Sequence, residues 1–248
     1  MELEHNQKNR PRGIYLLPNL FTTAALFFGF YSIVAAMKGH FDMSAIAIFV
    51  AMVLDGLDGR VARMTNTQTA FGAEYDSLSD MVGFAVAPAL LVYSWSLFTL
   101  GKLGWLVAFV YTAATALRLA RFNTQAHDTD KRYFQGLPCP SAAAVLAGMI
   151  WCANYYDISG AFIAIPAAIL TVCVAGLMVS RVRYYSFKQI DLKGKVPFMM
   201  VVIAVFVIAG IAIEPSQILF SLFLLYAGSG PVWTLWQIRK MRRRSRKE

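Results

Sequence analysis

Apolar runs separated by short polar breaks dominate the chain, and they have the length of membrane-spanning helices, roughly 20 residues each. Eight runs can be read: residues 15–37, 42–63, 72–98, 103–122, 138–156, 159–180, 197–213 and 216–236. The first opens with Pro18-Asn19, and proline is tolerated in the first turn of a helix. Pro88 is placed to kink the third run. The last two runs are parted only by a few residues around Glu214-Pro215, which predicts a tight helical hairpin. No internal repeat or low-complexity linker breaks the series. The pattern predicts an all-α polytopic membrane helix bundle of eight spans. Residues 1–13 form a polar tail, 14–185 a membrane domain, and 186–248 two additional spans with a basic tail.

The second and third runs carry carboxylates where an apolar span would not. Asp55, Asp58, Asp76 and Asp80 fall within one stretch of otherwise small and apolar residues. Ionisable groups at membrane depth are costly, and they mark functional sites there. With about 3.6 residues per helical turn, Asp55, Asp58, Gly59 and Ala62 share one helix face, and Gly72, Asp76, Asp80 and Gly83 share another. Arg60 and Glu74 point away from those faces. The segment Met64 to Phe71 is long enough to turn the chain and oppose the two faces. Opposed carboxylates repel strongly in a low dielectric, and divalent cations remove that repulsion. An all-oxygen ligand set suits Mg²⁺, Mn²⁺ or Ca²⁺ and disfavours zinc. The plainer alternative is a set of helix-end charges at the membrane surface, but such charges need not share their faces with glycines.

Composition and charge placement fit this picture. Of the 248 residues, 58% are hydrophobic and 15% charged. The net charge of +9 could suit nucleic acid, but its distribution points elsewhere. With the N-terminus in the cytoplasm and eight spans, 21 of the 23 Lys and Arg residues fall on the cytoplasmic side, leaving Lys38 and Lys102 outside. That is the positive-inside pattern. It predicts both termini inside and all four aspartates near the inner leaflet. The run Arg239 to Lys247 then reads as a topology signal, with attraction to anionic head groups as a second role. Cys139, Cys152 and Cys173 lie in or beside apolar segments and read as packing residues. His5, His40 and His127 are too scattered for a histidine metal site. The first run is too long for a signal-peptide core.

As a pattern, the acidic stretch reads Asp55-x-x-Asp58-Gly59-x-x-Ala62-Arg63, eight residues, Gly72, three residues, Asp76, three residues, Asp80. It resembles the signature of the CDP-alcohol phosphotransferase family at every motif position. The resemblance implies a six-span membrane core, a homodimer, and transfer of a substituted phosphate from a CDP-linked donor to an alcohol, with release of CMP. It implies metal binding by Asp55, Asp58 and Asp76, and a double role for Asp80 as metal contact and proton acceptor. Two ions of the Mg²⁺ or Mn²⁺ type are expected there, with Ca²⁺ as an alternative. Gly59 and Thr69 match positions that contact the CDP-lipid. Ala62, Gly72 and Arg63 extend that expected surface, although an interfacial arginine such as Arg63 can also simply snorkel. Pro18, Asn19, Leu20 and Phe21 are expected at a similar donor-contacting position in the first span.

Two further stretches bear on the acceptor. These are Leu117 to Asn123, and Tyr133 to Ser141. With the Asp80 to Pro88 segment, they resemble the membrane-integral phosphatidylserine synthases of bacteria, which implies CDP-diacylglycerol as donor, L-serine as acceptor and a place in the bacterial inner membrane. A buried Arg118 or Arg121 could pair with the serine carboxylate, with Asn123 as a further contact. Gly83, Ala85, Cys139 and Ser141 depart from the residues common in that group, where Ser, Gly, Ser and Ala are expected. Glycerol 3-phosphate or inositol would be the alternative acceptor. A cation transporter would be a different class of protein, and it would place its carboxylates near the bilayer midplane.

Overall fold

The computed structural model describes residues 16–65, 67, 69–125, 133–185 and 198–244. The N-terminal tail with Lys8, Arg10 and Arg12 lies outside the described residues, as do Lys131, Arg132, Lys188, Lys193, Lys195, Arg246 and Lys247. The protein is an all-α membrane bundle. Its helices are α1 (Leu16–Met37), α2 (Phe41–Thr65), α3 (Ala70–Asp80), α4 (Ala87–Trp95), α5 (Lys102–Gln125), α6 (Cys139–Tyr155), α7 (Ala164–Val179), α8 (Phe198–Ile213) and α9 (Pro215–Arg244). A π-helical turn, Met81–Val86, joins α3 and α4 into one rod. The described residues therefore form eight rods, matching the eight apolar runs.

Among the described residues, three stretches are long and apolar enough to cross a membrane by length and composition: Pro18–Met37, Ala70–Trp95 and Lys102–Thr124. Charge at its site end sets α2 apart from these, and α6, α7 and α8 are shorter, at 17, 16 and 16 residues. α9 has 30 residues, roughly 45 Å at 1.5 Å per residue, so the helix continues well past the apolar run and into the basic segment.

Small residues let the rods approach closely, as they do between helices in membranes. α6 lies at the centre, with Ala142, Ala143, Ala144 and Ala147 fully buried. A side chain on Gly148 would meet the backbone of Phe220 in α9 at 3.0 Å. A Cβ on Gly29 of α1 would stand 2.8 Å from the Cα of Gly83, so α1 crosses the π turn almost backbone to backbone. Phe27, Phe30, Trp105, Phe109, Ile165 and Phe206 are exposed on the outside, the side suited to lipid.

Pro88 acts upstream of itself. Its missing N–H would have bonded to the carbonyl of residue 84 in a regular helix. That Phe84 carbonyl instead accepts a hydrogen bond from the Tyr111 hydroxyl of α5 at 3.0 Å. The expected kink is thus a π turn directly after Asp80. A small feature absent from the sequence reading is a two-stranded antiparallel ribbon. β1 (Tyr133–Gln135) pairs with β2 (Arg183–Tyr185), tying the segment after α5 to the segment after α7.

Candidate functional site

The end of α2 and the start of α3 form the site. Thr69 caps α3, its hydroxyl accepting from the Gly72 N–H at 3.0 Å. The reversal between the two helices opposes their carboxyl-bearing faces. Asp55, Asp76 and Asp80 each offer a carboxylate oxygen, and these atoms all lie within 4.8 Å of one another. All three residues are half-buried. Three carboxylates this close cannot remain ionised together without a compensating positive charge. An all-oxygen donor set of this kind fits a hard divalent cation.

Asp58 stands outside that trio. It is 5% exposed and accepts a 2.7 Å hydrogen bond from the Thr22 hydroxyl of α1. α1 is held against the site by two more contacts: Ser79 Oγ donates to the Thr22 carbonyl at 3.2 Å, and the Thr23 and Tyr75 hydroxyls lie 3.0 Å apart. A cavity of about 300 Å³ opens beside Asp58 and Asp76. Pro18, Asn19 and Thr22 of α1 line it, with Gly59, Ala62 and Arg63 of α2 and Thr67, Thr69, Gly72 and Ala73 from the turn and α3. A side chain on Gly59 would enter open space, so nothing inside the chain requires a glycine there. The space it leaves open belongs to the cavity.

Leu20 and Phe21 do not line this cavity. The helical turn puts positions 18, 19 and 22 on one face, and Leu20 is 67% exposed on another. Thr22, Thr67 and Ala73 were not anticipated. Thr22 could have been, because it follows Pro18 by four residues and so shares its face.

The three acceptor candidates on α5 separate cleanly. Arg121 donates from Nη1 to the Val179 carbonyl at 3.2 Å, at the C-terminus of α7, where a cation is favoured. Asn123 is exposed, and its amide donates to Ser77 Oγ at 3.0 Å. Arg118 is half-buried and donates from Nη1 to Cys139 Sγ at 3.0 Å. Its Nε is buried with no hydrogen-bond partner among the described residues. Arg118 is therefore tied to the start of α6, while Arg121 and Asn123 are engaged in holding α5 to α7 and α3.

Residues 15–175 match the CDP-alcohol phosphatidyltransferase family. A Helicobacter pylori protein named CDP-diacylglycerol–serine O-phosphatidyltransferase is 36% identical over 213 residues, covering 86% of this chain and 90% of its own. A Bacillus subtilis protein of that name is 32% identical over 173 residues, covering 70% and 92%. One from Methanocaldococcus jannaschii is 38% identical over 137 residues, covering 55% and 61%.

Proposed function

Because the chain belongs to the CDP-alcohol phosphatidyltransferase family, we propose that it transfers the phosphatidyl group of CDP-diacylglycerol to L-serine, forming phosphatidylserine and CMP. The observation that carries this reading is the juxtaposition of a carboxylate trio and a cavity walled by small residues, which share Asp76. The cavity takes the CDP end of the donor, with Arg63 at its rim facing phosphate. Asp80 accepts the proton of the serine hydroxyl. The serine oxygen then bonds to the phosphatidyl phosphorus, and the bond from that phosphorus to the CMP oxygen breaks. Arg118 holds the serine carboxylate by a charge-assisted pair.

Asp55, Asp76 and Asp80 would hold divalent metal, with Asp58 at the cavity side of the same site. Bound there, Mg²⁺ or Mn²⁺ supplies charge neutralisation for the pyrophosphate oxygens. The same reading takes two ions per site, a homodimer, and a multi-pass protein in a bacterial inner membrane with both termini and the site toward the cytoplasm.

A phosphorylated acceptor such as glycerol 3-phosphate would call for more cationic groups, whereas one arginine suits a single carboxylate. The test is one assay. Purified protein receives CDP-diacylglycerol, Mg²⁺ or Mn²⁺, and labelled L-serine, alone or with excess glycerol 3-phosphate or inositol. Labelled phosphatidylserine with equimolar CMP, undiminished by the other alcohols, is expected. CMP release that follows another alcohol and ignores serine would overturn the acceptor assignment.

A further inference from the structure

We propose that Cys139 is a positioning residue for the acceptor, its thiol orienting the Arg118 guanidinium toward the carboxylate of the incoming amino acid. The inference rests on the role of Arg118 given above. Cys139 is fully buried, and its sulfur accepts the Nη1 hydrogen bond at 3.0 Å. This contact fixes one end of the guanidinium while the buried Nε keeps its donor without a partner among the described residues. A thiol is suited to that task because it is a weak and uncharged acceptor. A carboxylate in its place would bind the guanidinium as a bidentate pair and cancel the charge that the acceptor needs.

The sulfur is itself held in place. Gly136 donates from its N–H to the Val182 carbonyl at 2.8 Å, and Leu137 to the Leu177 carbonyl at 3.0 Å. The chain then enters α6 through Pro138, with Cys139 as the first helical residue. On α5, Thr115 lies one turn before Arg118 and contacts Met178 Sδ at 3.6 Å. Donor and acceptor of the Arg118–Cys139 bond are thus both registered against the same end of α7. The other two cysteines have no such setting: Cys152 is half-buried and Cys173 is exposed.

The experiment measures KM for L-serine and for CDP-diacylglycerol in the full-length protein. The variants are Cys139→Ala, Cys139→Ser, Arg118→Ala and the Arg118→Ala/Cys139→Ala double variant. Cys139→Ala is expected to raise the serine KM about tenfold, the scale of a lost hydrogen bond to a charged group. The CDP-diacylglycerol KM and kcat should stay within about twofold, and Cys139→Ser, whose hydroxyl accepts the same bond, should recover most of the loss. In the Arg118→Ala background the alanine should add nothing, because the two residues act as one unit. An unchanged serine KM in Cys139→Ala, an equal rise in both KM values, or full additivity with Arg118→Ala overturns the inference. If Cys139→Ala yields too little folded protein, Cys139→Val fills the volume without an acceptor and takes its place. The two readings fail differently. Arg118→Ala with an unchanged serine KM removes the acceptor role and this inference together. A raised KM in Arg118→Ala with a silent Cys139→Ala removes only the positioning role.

Discussion

The proposed donor side of the site and the proposed acceptor side are built in different ways. The donor cavity comes mostly from one continuous stretch, Asp58 to Asp76, closed by a single face of α1. The acceptor corner is assembled from α5, the start of α6 and the end of α7, which are far apart in sequence. A local site can be specified by helical periodicity and one turn. A distributed site needs its supports pinned, and here the pins are backbone hydrogen bonds, the side-chain bonds of Arg118 and Arg121, and a short ribbon. The two halves should therefore break in different ways.

Asp80 is one of the carboxylate trio and the proposed proton acceptor, so its loss should have the largest effect. Asp80→Asn keeps the shape and removes the proton acceptor. Turnover of serine is expected to fall about 10³-fold, within the range for a lost general base. The metal-free protein should melt at the same temperature or higher, because one of three carboxylates within 4.8 Å has been neutralised. A rate loss below about tenfold would remove Asp80 from the base role.

The contrast also accounts for what was legible in the sequence. The acidic faces could be read because Asp55, Asp58, Asp76 and Asp80 recur at helical spacing, and spacing alone fixes a face. The eight rods followed from the apolar runs for the same reason. That Arg118 and Arg121 take different partners could not be read. They are one turn apart near the same helix end, and only the packing of α7 and Cys139 separates them. The ribbon was invisible because each strand is three residues long, too short for alternation to show, and its partner strand is about fifty residues away. Pro88 signalled an irregularity correctly, but a proline's missing donor is felt four residues upstream. The π turn therefore falls at Met81–Val86, beside Asp80, rather than at the proline.

A second prediction probes how the acceptor side is pinned. Gly136 has φ 79°, and a Cβ there would stand 2.2 Å from the Met178 carbonyl oxygen. Gly136→Ala should lose about 1–2 kcal/mol from the left-handed conformation alone, and the turn must also move away from α7. The thermal midpoint should drop. In the protein that remains folded, the serine KM should rise while the CDP-diacylglycerol KM stays close to parental. Equal damage to both substrates would mean that the two sides share their supports and the contrast is false.

The smallest effect should come from Thr22, on the donor side. Its hydroxyl has one proton and two oxygens within reach: Asp58 Oδ2 at 2.7 Å and the Pro18 carbonyl at 3.2 Å. The shorter contact is to the charged acceptor and takes the proton. Thr22→Val preserves the branched shape of a buried residue and removes only that donor. A hydrogen bond to a charged group contributes about 1.5–3 kcal/mol, but Asp58 borders a cavity from which water can replace part of it. The net effect should then be about threefold to tenfold, expressed as a weaker CDP-diacylglycerol KM or a higher Mg²⁺ concentration for half-maximal rate. Thr22→Ser restores the hydroxyl and should restore both values. The serine KM should not respond, because the hydrogen bonds of Thr22 run to Pro18, Asp58 and Ser79, on the donor side. A shift in the serine KM from Thr22→Val would show that α1 reaches the acceptor corner through Asp58, and that the site is one cooperative unit rather than two.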